Sequence, residues 1–263
     1  SIHWLLRRCF DKTGGPFYVY ETLDNKIRID AQVDLVKKPF YREYEEGRHY
    51  TNEQTKDYEE NYIQRLYRML EITSDIKLTK FLPGTVGAFS SRTHFLDFAQ
   101  KSYEIYDFNY EEEFDKMIWI DKYKTISSKF KIDSENSRLT ELPQSYTNRI
   151  SLNNESFDGI PNYHNSAYEM KINKTICYEE QLDSLSHEVK IHGDPTIRSG
   201  QKLKLKFAKP LDPTLEKRGF KNDSESKYDL FITGEYLLTG MVHNFDTDYY
   251  INFKAKKDSY AVN

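Results

Sequence analysis

The chain has 263 residues, a net charge of −4 and a pI near 6.0, enough for one large domain or two ordinary ones. Its mean hydropathy is −0.80 and 30% of its residues are charged, yet aromatic residues reach 15%, and disordered chains are poor in aromatic side chains. The composition therefore predicts an ordered protein, and its acidity gives no reason to expect general binding to nucleic acid or lipid.

The first half of the chain predicts helices and short strands. Residues 1–15 have apolar side chains at helical spacing and end in two glycines, a typical helix stop. The runs PFYVY and KIRID, joined through Asp24-Asn25, predict a hairpin. A polar connection follows at 37–50. A second helix is predicted from a capping box at Thr51 and from an apolar stripe formed by Tyr58, Tyr62, Leu66, Met69 and Leu70.

The middle of the chain is less regular. The runs GTVGAFS at 84–90, THFLDFA at 93–99 and KSYEIYDF at 101–108 predict three short strands. The runs FDKMIWIDKYK and SSKFKID fit further strands or partly helical structure. Residues 133–165 are rich in Ser, Asn and Pro, so we expect loops there.

The C-terminal part alternates between apolar and polar residues. A helical period at 165–186 would turn Tyr168, Ile172, Ile176 and Leu182 towards a core. The runs KLKLKFA, YDLFITGEYLLTGMVHNF and YYINFKAK then predict antiparallel strands, with a polar loop before the second of them. The fold class is therefore α+β, mainly antiparallel β. We expect an N-terminal α+β region at 1–132, a connection at 133–165 and a C-terminal domain at 166–263.

The sequence offers no convincing reactive site. His187 and His192 are five residues apart, whereas a zinc-binding helix places its two histidines four apart. On a strand, this odd spacing puts the two rings on opposite faces, so we expect two half-exposed histidines and no metal site. Cys9 and Cys177 are too few for a disulfide framework, and Cys177 lies among apolar helix residues that indicate packing. We expect no catalytic residue, no cofactor and no enzyme activity.

Three lysines, Lys202, Lys204 and Lys206, alternate with apolar residues on one predicted strand. One face of that strand is apolar and the other carries three ammonium groups. These groups could contact phosphates or the acidic residues of a partner, or they could be a solvated face that guards the sheet edge. Because the chain is acidic overall, an acidic neighbour is favoured over DNA.

Both ends of the chain resemble baseplate hub proteins of contractile-tailed bacteriophages. The C-terminal resemblance lies in LSHEVKIHGDPTIRSG, in RSGQKLKLKF and in the closing hairpin TGEYLLTGMVHNFDTDYYINFKAKKDS, where the family's usual Tyr and His fall at Tyr236 and His243. The N-terminal run SIHWLLRRCFDKTGGPFYVYETLDNKIRI is similar to a helix and hairpin near the middle of the hub chain. The resemblance covers about the first 40 and the last 75 residues.

The resemblance implies a tail-tube-like β-barrel domain at the C-terminus with a packed helix. It implies a trimer that forms a pseudo-hexameric ring between the tail tube protein and the central spike protein, among other baseplate proteins. DNA would pass through the lumen only transiently, and the protein would belong to the virion tail after assembly in the host cytoplasm. Hubs carry another tube-like domain ahead of this N-terminal helix, so a chain starting at Ser1 fits a C-terminal part or a hub made of two polypeptides.

From the same resemblance, we expect interface or channel-facing residues at Lys202, Lys204, Lys206, Tyr236, His243, Tyr249 and Tyr250. Tyr236 and His243 should also pack locally on the closing hairpin. Two other functions remain open. A tail-associated hydrolase would need a cleft with paired carboxylates or a metal, and an adsorption or carbohydrate-binding module would need exposed aromatic platforms.

Overall fold

The computed structural model describes residues 9–22, 24–46, 66–76, 81–97, 101–126, 145–151, 168–209 and 228–260, with the separate positions 2 and 6. Within them the α-helices are α1 Gln32–Lys37, α2 Phe81–Thr85, α3 Tyr110–Glu113 and α4 Tyr168–Leu182. The strands are β1 Phe17–Thr22, β2 Lys26–Ala31, β3 Phe40–Glu46, β4 Arg68–Ile76, β5 Ser90–Asp97, β6 Ser102–Asn109, β7 Ser145–Ser151, β8 Leu185–His192, β9 Lys202–Lys206, β10 Gly234–Phe245 and β11 Tyr249–Lys257.

Six strands form a closed barrel in the order β10-β11-β8-β4-β3-β9. The run from β10 through β11 and β8 to β4 is antiparallel throughout. In contrast, β3 pairs in parallel with both β4 and β9. The mainly β, α+β fold class predicted from the sequence is confirmed.

Side chains fill the inside of the barrel. The core includes residues from every barrel strand, and its members Leu203, Leu205, Ile191 and Ile251 are 0% exposed. A barrel with this few strands has room only for its own side chains. The barrel of a single chain is therefore a packed core and not a pore.

The barrel is not confined to the C-terminal range 166–263, because β3 and β4 come from the N-terminal region 1–132. The prediction of a connection at 37–50 is wrong for the residues of β3, and the prediction of helix is wrong for Met69 and Leu70 in β4. Both strands are polar in sequence, but each supplies core side chains, namely Tyr44 and Met69. The start of the predicted second helix lies outside the described residues.

Two smaller β units flank the barrel. The hairpin of β1 and β2 is confirmed, and Asn25 adopts a positive φ of 53° in its turn. A three-stranded sheet has the order β6-β5-β7, with β7 parallel to β5. The prediction of loops at 133–165 is wrong for β7. This strand pairs in parallel with β5, which is distant in sequence, so the pairing produces no local sequence pattern.

The helix α4 is confirmed, but its buried face differs from the prediction. The buried residues on its described part include Cys177, Tyr178 and Leu182, while Ile172 and Ile176 are half-buried. Cys177 and Tyr178 pack in one core with aromatic residues of the segment 108–119. This core lies between α4 and the three-stranded sheet.

The prediction of a strand at 84–90 is wrong for residues 84–89, because β5 begins only at Ser90. The chain instead forms α2 and a tight turn, in which the amides of Gly87 and Ala88 donate to the carbonyls of Gly84 and Pro83 at 3.0 Å. Gly87 has a φ of 87°, a conformation that other residues adopt reluctantly. The residues 114–116 form a 3-10 turn, in line with the partly helical alternative. Among the described helices, none is long and apolar enough to span a membrane.

The packed barrel predicts a large cost for truncating its interior. Because Leu205 is 0% exposed, we expect Leu205→Ala to lower the free energy of unfolding by about 2–5 kcal/mol. The matched change Leu230→Ala, at a side chain that is 58% exposed, should cost less than about 0.5 kcal/mol. Urea denaturation of the two variants compares them, and equal costs would contradict a filled interior.

Candidate interface surfaces of the barrel

The three lysines of β9 are paired with carboxylates of the adjacent strands. Lys202 Nζ lies 2.7 Å from the carboxylate of Glu235 in β10. Lys204 Nζ lies 3.4 Å from the carboxylate of Glu43 in β3, and Lys206 contacts the same carboxylate. Although burial opposes it, the ammonium groups hold the pKa of Glu43 below its ordinary value. The lysine face is thus turned mainly to acidic side chains of its own chain.

Tyr236 belongs to the core and not to the surface, since it is 0% exposed. Its hydroxyl donates to the carbonyl of Ile232 and accepts from His187 Nε2 at 3.1 Å. The other ring nitrogen of His187, Nδ1, is then the acceptor for the Ser74 hydroxyl at 2.8 Å. The expectation of local packing fits this arrangement, and in the single chain Tyr236 has no exposed surface with which to contact a neighbour.

His187 and His192 lie on opposite faces of β8, as their spacing predicts. His187 is not half-exposed, however, but fully buried, whereas His192 is exposed. Burial, with a smaller effect from the charge of Lys257, lowers the pKa of His187 to about 4. No group of three or more metal-binding side chains occurs within the described ranges.

A second buried polar cluster lies at the end of β11. Lys257 is 1% exposed and its Nζ lies 2.6 Å from Asp121. The next residue, Asp258, accepts from the amides of Ile120 at 2.5 Å and Asp121 at 3.3 Å. Burial raises the pKa of Asp258 to about 7. These contacts fasten the irregular segment 117–126 to the barrel.

The tip of the β10–β11 hairpin carries an aromatic stack. The rings of Phe245 and Tyr249 are stacked with centroids 4.4 Å apart, and His243 Nδ1 lies 2.8 Å from the Tyr249 hydroxyl. Phe245 is 76% exposed, and Val242 on the same strand is 60% exposed. The predicted candidates His243 and Tyr249 therefore lie together at an exposed apolar tip.

Tyr250 lies on the outer face of the antiparallel run β10-β11-β8-β4. Lys190 Nζ lies 4.6 Å from the centre of its ring and 2.9 Å from the carboxylate of Glu71. Farther along the same face, Lys254 lies 3.5 Å from Glu188. This outer face is polar, with both charge signs interleaved.

The two outermost strands of this run extend beyond their partners. On one side, β10 pairs with β9 only from Gly234 to Leu237, and Leu238 exchanges hydrogen bonds with Gly200 and Gln201. On the other side, β4 pairs with β3 only at Arg68 and Met69. Within the described parts of the chain, no strand pairs with residues 239–245 of β10 or 70–76 of β4 on those sides. We call these two segments the β10 edge and the β4 edge.

The β10 edge and the β4 edge were not predicted from the sequence. Met241 and Val242 are adjacent apolar residues on an alternating strand, so one of them must point away from the core, which predicts an exposed apolar side chain and not unpaired backbone. Met241 packs against the barrel core and Val242 is the exposed one. The β4 edge leaves no such signal.

No protein-family model matches this sequence, and no curated protein matches it. Among solved structures, the chain is similar to the tail protein from Neisseria meningitidis MC58, with 9% identity and a TM-score of 0.40. The alignment covers 92% of this chain and 51% of the Neisseria protein, so the chain spans about half the length of that protein.

The buried groups predict two opposite effects of pH on stability. Between pH 6.5 and about 4, an unfolded chain protonates His187 while the folded chain does not, so this residue makes the fold less stable as pH falls. The folded chain retains a proton on Asp258 up to about pH 7, which the unfolded chain loses near 3.8, so Asp258 makes the fold less stable as pH rises through that window.

The variants His187→Gln and Asp258→Asn should therefore change the pH dependence in opposite directions. We expect His187→Gln to reduce the loss of stability on acidification by up to about 3 kcal/mol. Asp258→Asn should increase that loss. Urea unfolding at several pH values measures both, and the same direction of change in the two variants would contradict the assignment.

Proposed function

We propose that this protein is a structural, non-catalytic subunit of a phage tail baseplate hub. In this role, copies of the chain form a ring that joins the tail tube to the central spike and leaves a channel for DNA. The proposal rests on the β10 edge and the β4 edge, which lie on opposite sides of one four-stranded sheet and for which the described parts of the chain supply no neighbouring strand. The resemblance of the chain ends to hub proteins supplies the biological setting.

The two edges suit head-to-tail association. Strand β4 runs antiparallel to β10, because each neighbouring pair in the order β10-β11-β8-β4 is antiparallel. The β4 edge of one copy can therefore extend the sheet of the next copy at its β10 edge as an ordinary antiparallel pair. An interface between two different surfaces generates a ring when the rotation closes. The exposed side chains of Val242 and Phe245 would be covered at each junction.

A channel in such an assembly would lie between the copies. The interior of each barrel is filled, so DNA cannot pass through a single chain. The polar outer face with Lys190, Glu188 and Tyr250 is the surface that fits a water-filled lumen, since its charges are already paired within the chain. Paired charges of both signs would hold DNA only weakly, as transient passage requires.

The remaining parts of the proposal follow from the hub resemblance. They are three copies in a pseudo-hexameric ring, contacts with the tail tube protein, the spike protein and other baseplate proteins, and a place in the virion tail. No step in this role needs a catalytic residue or a cofactor.

Charge placed on the β10 edge should prevent assembly without unfolding the chain. We expect the double variant Val242→Asp and Phe245→Asp to remain folded, because both side chains are exposed, and to sediment as a monomer where the unchanged protein forms rings. Analytical ultracentrifugation measures this. The control Ile27→Asp changes a side chain that is 70% exposed on the β1–β2 hairpin, and it should still assemble. Continued assembly of the double variant, or loss of assembly in the control, would contradict the proposal.

The head-to-tail geometry has its own test. Register places Val242 opposite Asn252, Asn252 opposite Lys190, and Lys190 opposite Glu71, so Val242 and Glu71 lie at one level on the two edges. In a background with Cys9→Ser, chains with Val242→Cys mixed with chains with Glu71→Cys should be joined by a short bismaleimide. Neither variant alone should form that dimer. Efficient linking of Val242→Cys chains to each other would indicate a two-fold contact and overturn the ring.

A further inference from the structure

Strand β6 forms one edge of the three-stranded sheet. It is the outermost strand in the order β6-β5-β7, and the described residues place no strand on its other side. Two apolar side chains along it are well exposed, Tyr103 at 55% and Ile105 at 48%. An exposed edge with apolar side chains offers both hydrogen-bonding groups and pockets for an added strand.

The surface beside this edge is ordered by contacts with β5. Arg92 Nε and a terminal nitrogen donate to the two oxygens of Asp107 at 2.6 and 2.7 Å. The ring of His94 stacks on Tyr103 with centroids 5.8 Å apart. On the inner face, the Thr93 hydroxyl donates to Asn173 of α4 at 3.1 Å. Side-chain contacts with β5 thus fix Asp107 and Tyr103 on the outer face of β6, and β5 is fixed to α4 on the inner face.

The charge along this edge indicates what kind of strand fits. Strand β6 itself contains two carboxylates, Glu104 and Asp107, and no lysine or arginine, while Lys101 precedes it and the helix α3 that follows adds Glu111, Glu112 and Glu113. Asp107 is paired with Arg92, and Glu113 with Lys116 and Lys174, while Glu104 and Glu112 remain exposed. A second copy of β6 would bring two acidic edges together, which like-charge repulsion disfavours. A basic strand would be attracted.

We propose that β6 is a docking site for an extended segment of another protein in which lysine or arginine alternates with apolar residues. The segment adds to the sheet as a fourth strand. Its apolar side chains cover Tyr103 and Ile105 on the outer face, and its basic side chains lie on the face of Glu104. This surface is separate from the β10 edge and the β4 edge, so it would be occupied whether or not the ring forms.

The test uses two synthetic peptides, acetyl-KVKVKV-amide and its matched control acetyl-EVEVEV-amide. We expect calorimetry on the whole protein to detect the lysine peptide and not the glutamate peptide. Bound lysine peptide should slow hydrogen exchange at the amides of 102–109 and leave 26–31 unchanged. Binding should also weaken as salt is raised.

Two charge reversals complete the test. Glu104→Lys should weaken binding of the lysine peptide by about tenfold. The equivalent change Glu188→Lys, on the outer face of the barrel, should leave that binding unchanged, and circular dichroism checks that both variants fold. Absence of binding, equal binding of the two peptides, or protection of amides outside β6 would each overturn the proposal.

Discussion

The strands that close the barrel differ in length, and this difference determines which parts of the sheet lack a neighbour in the described structure. The ring of six strands closes through β9, which has five residues, beside β10, which has 12. It closes again where β3 meets β4 through only two residue pairs. These short pairings are enough to enclose the core, but they leave the remaining length of β10 and β4 without a neighbour in the described structure. Unpaired lengths of strand of this kind are a template for pairing with a strand of another chain.

The polar strand β3 shows how that closure is stabilised. Its sequence FYREYEE contains charged residues in four of seven positions, which is unusual for a strand between two neighbours. Glu43 lies between Lys204 and Lys206, and Tyr44 supplies the buried side chain. Lys204 and Lys206 of β9 are therefore explained by a parallel neighbour in the same chain, and Lys202 by Glu235 of the antiparallel neighbour β10. A partly exposed pair of this kind contributes modestly to stability, so its main effect is to favour the correct register.

The sequence allowed the elements with local patterns to be predicted. The hairpin of β1 and β2, the helix α4 and the strands β8 to β11 all follow from turn residues or periodicity. Strands β3, β4 and β7 were missed because parallel and long-range pairing leaves little trace in a local window. The burial of His187 was missed for a related reason. A strand pattern predicts that one face is buried, but it does not show that a buried histidine and tyrosine will satisfy each other.

In the proposed ring, the β10 edge of one copy meets the β4 edge of the next around an axis. A cryo-electron microscopy reconstruction of the purified assembly would show this contact. We expect a closed ring in which β10 of each copy lies antiparallel beside β4 of its neighbour, with Lys190 and Tyr250 facing the lumen. A ring or particle in which these two edges are far apart, or in which the chain lies away from the axis, would contradict it.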